Sequence, residues 1–190
     1  MKELEVKIKE EGKVLPGEIL KINGFLNHQI DTRFLDEIGK EFRRLFDTEV
    51  TKILTIEASG IAIAVATARY FDFCPVIFAK KAVTANMSDD NYSAEAFSYT
   101  HGNSFFANVS KDYLSTDDKV LIIDDFLAMG EALNALIDIC EQAGATIVGC
   151  GTVVEKGFQP GGKAIRDKGI RVESLAVIKK MTDDSIEFED

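Results

Sequence analysis

The sequence predicts a single α/β domain: a central, mostly parallel sheet flanked by helices. Three observations lead there. Short apolar segments with no polar face recur along the chain, and strands buried on both faces belong to parallel sheets. Helix-patterned stretches separate them, which is the order of an α/β fold. One long polar stretch, residues 84–111, interrupts the alternation.

The elements follow in order. Residues 1–11 read as a short helix with Leu4 and Ile8 on one face, stopped by Gly12. Residues 13–25 alternate apolar and polar around Pro16 and Gly17, predicting a short strand and then a non-regular flap. Asp31 is placed to cap a helix over 33–46, with Phe34, Leu35, Ile38, Phe42 and Leu45 facing inward. Residues 52–56 form an apolar strand and 61–70 an Ala-rich helix. Strands follow at 75–80 and 120–124, a helix at 130–142 and a strand at 145–153. A turn or helix near 160–168 leads to a last strand at 171–179. A connection as long as 84–111 reads as a lid or hairpin with a role in function. No repeat, low-complexity tract or linker is visible, so residues 1–190 read as one domain.

Composition excludes several classes of function. The chain is 46% hydrophobic and 28% charged, a globular rather than disordered balance. A net charge of -10 argues against general nucleic-acid binding. No apolar run is long enough to span a bilayer, and the charged N-terminus lacks an apolar signal core, so a cytoplasmic location is expected. Cys74, Cys140 and Cys150 contain no C-x-x-C pair and are expected to be reduced, buried thiols. With only His28 and His101, a zinc site is not expected, and no residue is assigned as a metal ligand. An acidic protein still binds a small polyanion where backbone amides converge.

The strongest motif runs from Val120 to Leu133. A buried strand carries Asp124 and Asp125, a small-residue turn contains Ala128 and Gly130, and a helix starts at once. Ligands of open parallel sheets sit beyond the carboxyl ends of the strands. A helix N-terminus there supplies unpaired N–H groups and the positive end of a dipole. Adjacent carboxylates accept hydrogen bonds from cis ribose hydroxyls and favour positive charge at an anomeric carbon. A receiver domain also uses paired acids, but its pair lies near the N-terminus, ahead of a phosphoacceptor Asp that is absent here.

These residues resemble the signature by which the type I phosphoribosyltransferases bind phosphoribosyl pyrophosphate (PRPP). The resemblance implies that fold, with an N-terminal hood (residues 1–30 with the C-terminal segment) over a base. It implies ribose hydroxyls on Asp124 and Asp125, and the 5-phosphate on Ala128, Met129, Gly130, Glu131 and Ala132. Met129 and Ala132 stand where the family often has Thr, and Glu131 where Gly is common, so amides replace hydroxyl contacts. Glu57-Ala58-Ser59-Gly60 resembles the pyrophosphate loop, often strained in the family. Ala58, Ser59 and Gly60 would then present amides, with a basic residue from the next strand, Lys81 in preference to Lys80. Ser59 stands where adenine enzymes often have Arg.

The base site rests on Lys156 and Phe158, whose types match a donor to O6 of a 6-oxopurine and a ring stacked on it. An ammonium has donors only, so it favours an oxo over an amino group. Leu20 would pack on the ring and Asn27 would face its 2-substituent, while His28 reads as solvated. Across most of its length the chain is similar to the xanthine phosphoribosyltransferases of this family. Guanine/hypoxanthine or adenine enzymes remain the alternatives, and a PRPP-sensing regulator of the same fold a lesser one. The resemblance further implies Mg²⁺ held mainly by PRPP and water, and a homodimer. Two anion loops flanking one ribose pocket predict competition by guanine nucleotides with phosphates at both ends of the ribose.

Overall fold

A computed structural model describes residues 1–81, 90–98, 103–182 and 185–189. The parts of the 84–111 segment at 84–89 and 99–102, with His101, lie outside the described residues.

Helix α1 (Lys2–Glu11) leads into a two-stranded antiparallel hairpin, β1 (Lys13–Leu15) and β2 (Ile19–Lys21). A π-helical turn, Asn23–Asn27, follows. The expected single strand and irregular flap are thus a regular hairpin and a wide turn. Phe25 and Leu26 bury themselves there and draw the backbone round, leaving Asn23 and Gly24 outside. Lys7 Nζ lies 3.2 Å from Asp31 Oδ2 and 5.3 Å from the centroids of Phe25 and Phe34. One cation therefore pins α1, the turn and the next helix together. That helix, α2 (Thr32–Leu45), starts where Asp31 Oδ1 accepts the Phe34 N–H at 3.1 Å. Its inner face buries Leu35, Ile38 and Phe42, each worth roughly 1.5–3 kcal/mol.

The main sheet contains β3 (Lys52–Ile56), β4 (Val76–Ala79), β7 (Lys119–Leu127), β8 (Thr146–Lys156), β9 (Val172–Thr182) and β10 (Ser185–Phe188). Helix α3 (Ser59–Ala68) joins β3 to β4, α4 (Glu131–Ala143) joins β7 to β8, and α5 (Gly161–Asp167) joins β8 to β9. The strand order is β10-β9-β8-β7-β3-β4, parallel except for the antiparallel edge β10. Alternate β7 residues feed two cores. Leu121 and Ile123 pack with α1, α2 and α3, whereas Val120 and Ile122 pack with α4 and a second hairpin. That hairpin is β5 (Asn91–Ser98) and β6 (Asn103–Ser110), within the interrupting segment.

Other differences from expectation have local causes. β7 does not end at its acids: Phe126 and Leu127 still pair with Val154 and Glu155 of β8. This leaves only residues 128–130 to turn into α4, with Gly130 at φ 86°. Strand β10 was not anticipated: its four residues alternate polar and apolar, but over a length too short to read, at an edge of the sheet. Cys140 and Cys150 are buried as expected, but Cys74 lies half-buried in the turn before β4.

Candidate active site

The chain changes direction across the sheet between β3 and β7. From β3 it steps outward to β4; from β7 it steps the other way to β8 and β9. The crevice at such a switch point is where open α/β sheets hold ligands. Four neighbouring strand ends, β4-β3-β7-β8, present Lys81, the 57–60 loop, the Asp124–Asp125 pair with the 128–132 loop, and Lys156, in that order.

On β7 the two acids live in different surroundings. Asp124 is 4% exposed, Asp125 half-buried. Burial first, then the negative charge of Asp125, pushes the Asp124 carboxyl well above the usual range; Lys81 opposes this from a distance. Asp124 Oδ1 accepts the backbone N–H of Asp125 at 2.9 Å. Asp125 turns to the hood, where its Oδ2 accepts from Asn27 Nδ2 at 2.6 Å. Asn27 Oδ1 is buried with no hydrogen-bond partner among the described residues.

Beyond the acids, Gly130 precedes the first turn of α4, whose leading N–H groups have no partner inside the helix. A cavity of about 230 Å³ opens over this loop, walled by Lys81, Phe97, Phe105, Phe126 and residues 127–133. Phe97 and Phe105 come from the β5–β6 hairpin, which therefore covers the loop.

In the 57–60 loop the Glu57–Ala58 peptide is cis, Ala58 precedes α3, and Ser59 and Gly60 begin it. A Cβ on Gly60 would fall 2.0 Å from Thr55 Oγ1, so no larger residue fits without movement. Glu57 Oε1 accepts the Lys81 N–H at 2.7 Å, tying the loop to the next strand end. Lys81 Nζ sits 5.1 Å over the Phe105 ring on the cavity side. Lys80 instead makes a backbone bridge to Asn108 and lines a separate hollow beside β4.

The hood closes on β8. Lys156 Nζ donates to Glu18 O at 2.8 Å, and burial holds its ammonium below the ordinary value against the pull of Glu18. Leu20 is buried in the β1–β2 hairpin, Phe158 is 38% exposed just past β8, and His28 is exposed.

Sequence reading passed over Glu155. It is 4% exposed, accepts both Arg166 Nη1 and Nη2 at 2.7 Å, and also accepts from the Ser174 hydroxyl. Burial pushes its carboxyl up, but Arg166 and Ser174 outweigh that and hold it below the ordinary value. The available signal was an acid inside an otherwise apolar strand, since buried carboxylates need a partner.

Residues 27–181 match the model of the phosphoribosyl transferase domain. Xanthine phosphoribosyltransferase 1 of Clostridium perfringens (strain 13 / Type A) is 53% identical, covering 99% of this chain and 100% of that one. Xanthine phosphoribosyltransferase of Laribacter hongkongensis is 51% identical, with 99% and 100% covered. Among solved structures, adenine phosphoribosyltransferase of Rhodothermus marinus superposes with TM-score 0.73 at 23% identity, over 92% of this chain and 98% of that one. The Trypanosoma brucei adenine enzyme, in complex with AMP, pyrophosphate and ribose-5-phosphate, gives 0.75 at 17% identity, over 92% and 78%. At these identities the structures speak for the fold alone. Among the described residues no helix is long and apolar enough to cross a membrane.

Proposed function

The chain belongs to the phosphoribosyl transferase family, and from that premise we propose that it transfers the 5-phosphoribosyl group of PRPP to xanthine, giving XMP and pyrophosphate in the cytoplasmic salvage of purines. The observation that carries this is the order of strand ends. With the 57–60 loop after β3, Asp124 and Asp125 on β7 and Lys156 at the end of β8, this reading would set leaving group and nucleophile on opposite sides of the sugar. That is the layout an inverting displacement at C1 requires.

In this reading, amides of residues 128–132 hold the 5-phosphate. Each hydrogen bond to a charged group contributes about 1.5–3 kcal/mol. Asp124 and Asp125 take the ribose hydroxyls and favour the positive charge that grows on the sugar as the C1–pyrophosphate bond lengthens. Pyrophosphate leaves onto the Ala58, Ser59 and Gly60 amides and Lys81. Lys156 donates to O6 of the base, Leu20 and Phe158 bound its ring, and Asn27 Nδ2 donates to the 2-oxo group once the ribose takes Asp125. The β5–β6 hairpin keeps water from the sugar.

Among the described residues no cluster of three or more His, Cys, Asp or Glu side chains gathers. In this reading a hard divalent cation would be held chiefly by PRPP oxygens and water, and the carboxylates of Asp124 and Asp125 would offer it, or its waters, oxygen contacts. When bound, Mg²⁺ neutralises the pyrophosphate charge. The same site is expected to admit guanine nucleotides phosphorylated at both ends of the ribose, as competitors of PRPP, and the enzyme to work as a homodimer.

Guanine is the second reading, favoured by one observation: the unpartnered Asn27 Oδ1 is an acceptor that suits a 2-amino group. The test supplies PRPP, Mg²⁺ and one of xanthine, guanine, hypoxanthine or adenine, and follows pyrophosphate release. Xanthine is expected to have the highest kcat/KM. Preference for adenine would overturn the roles of Lys156 and Asn27; PRPP binding without turnover on any base would make the protein a sensor.

A further inference from the structure

Past the end of β8, Pro160 turns the chain into α5, whose first two residues are wedged between the 5-phosphate loop and the buried Glu155. A Cβ on Gly161 would fall 2.4 Å from Ala128 O, 2.5 Å from Met129 C and 2.6 Å from Gly130 N, all backbone atoms. A Cβ on Gly162 would fall 1.9 Å from Glu155 Oε1 and 2.7 Å from Arg166 Nη1. Neither glycine leaves room for a side chain, so α5 meets the loop backbone to backbone.

Two hydrogen-bonded paths join them. The Gly161 N–H donates to Ala128 O at 3.1 Å. At the other end of α5, Lys168 Nζ donates to Asn134 Oδ1 at 2.6 Å, and Asn134 Nδ2 donates to Gly130 O at 2.9 Å. The carbonyls of residues 128 and 130 are both held. In a planar trans peptide the N–H points opposite to the C=O. Fixing those two carbonyls therefore aims the N–H groups of Met129 and Glu131 away from the groups that hold them.

Helix α5 is itself anchored. Arg166 grips Glu155 with two bonds of 2.7 Å, and its Nη2 lies 3.4 Å from Val172 O. Ser174 donates to Glu155 and lies 2.9 Å from Thr152 Oγ1, while Ile165 is fully buried. A short helix would fray alone; this one is clamped to β8 and β9.

We propose that α5 is the positioning element of the 5-phosphate loop: Gly161, with the Glu155–Arg166 pair that anchors the helix, sets the direction of the Met129 and Glu131 amides. These residues touch no substrate and act through the loop. The proposal rests on the reading of residues 128–132 as the phosphate loop, and the experiment separates the two ideas.

Ribose 5-phosphate, which needs only the phosphate and ribose sites, is titrated calorimetrically into wild type, Gly161→Ala, Arg166→Lys, Arg166→Met and Lys163→Ala. The KM for PRPP, kcat and melting temperature are measured alongside. Ordinary carbon contacts begin near 3.4 Å, so the Gly161→Ala methyl pushes the loop by about 1 Å, a displacement that costs about 10²-fold in a preorganised site. We expect Gly161→Ala to weaken ribose 5-phosphate tenfold or more and to raise the KM for PRPP more than it lowers kcat. Arg166→Met should do likewise, with Arg166→Lys partly restoring binding. Lys163, which among the described residues pairs with Asp167 on the solvent face, serves as the control and should change nothing. Ribose 5-phosphate binding to Gly161→Ala within twofold of wild type overturns the proposal, even if the variant melts lower. No binding by wild type would instead remove the phosphate-loop reading, and the proposal with it.

Discussion

Replacing Asp124 by Asn should make the protein more stable at neutral pH while damaging its chemistry. Burial and the neighbouring Asp125 raise the Asp124 carboxyl well above its ordinary 3.8. The folded state thus holds this proton more tightly than the unfolded chain does. The contribution to stability is full below 3.8 and is lost as pH climbs through the raised folded value, because the charged form is then forced into a buried position. An Asn keeps an acceptor for the Asp125 N–H, which Asp124 Oδ1 now holds at 2.9 Å, and never ionises. A buried polar group without full compensation costs about 1–3 kcal/mol, and more when charged. For a chain of this size each kcal/mol moves the melting temperature by about 2–4 °C, giving a gain of about 2–12 °C for Asp124→Asn at pH 8. The assay is paired thermal unfolding of wild type and variant at intervals from pH 4.5 to 8.5, without ligand. The gap should widen as pH rises. A pH-independent gap, or a variant that melts lower at pH 8, would refute the burial argument. Turnover of the variant should fall, the ribose having lost a charged acceptor.

Three further outcomes follow. Lys156→Met loses a charged donor worth about 1.5–3 kcal/mol, so kcat/KM for xanthine should drop about 10- to 150-fold with little change for adenine; equal losses on both bases would deny the O6 contact. Gly60→Ala forces a methyl to within 2.0 Å of Thr55 Oγ1 and should destabilise by about 1–3 kcal/mol. Adding Thr55→Ala should recover most of that loss, and strict additivity in denaturant unfolding would show that the two residues do not meet. Burial pushes the Cys140 and Cys150 thiols up to about 12, so at pH 8 only half-buried Cys74 should react with a thiol reagent until the protein unfolds; mass spectrometry of the labelled peptides decides it.

The sheet was legible wherever a strand is apolar on both faces. β3, β7 and β8 lie where their residue patterns place them, because burial on both sides leaves no alternative period. Strand ends were less legible. Phe126 and Leu127 extend β7 because Val154 and Glu155 wait beside them, and pairing across a sheet leaves no local trace. β10 alternates polar and apolar over only four residues, so it shows itself through its bonds to β9. The site divides in the same way. The acids and the small-residue turn form a local pattern, whereas Lys156 stands out only through the family resemblance. The Asn27–Asp125 bond joins residues 98 apart, and the Glu155–Arg166–Ser174 cluster joins three elements. Glu155 was overshadowed by its neighbour Lys156, whose charge had an obvious use.

On the proposed reading, the hydrogen bonds from Asn27 to Asp125 and from Lys156 to the Glu18 carbonyl give the site a screening property. Asn27 Nδ2, Asp125 Oδ2 and Lys156 Nζ are already hydrogen-bonded within the protein, so a solute that offers one of them a single polar contact must break a bond in order to make one, and gains nothing. A ligand prevails only by replacing several at once while adding phosphate contacts that the protein cannot supply to itself. On the proposed reading, a lone amine or a bare sugar is turned away by this hydrogen-bond balance.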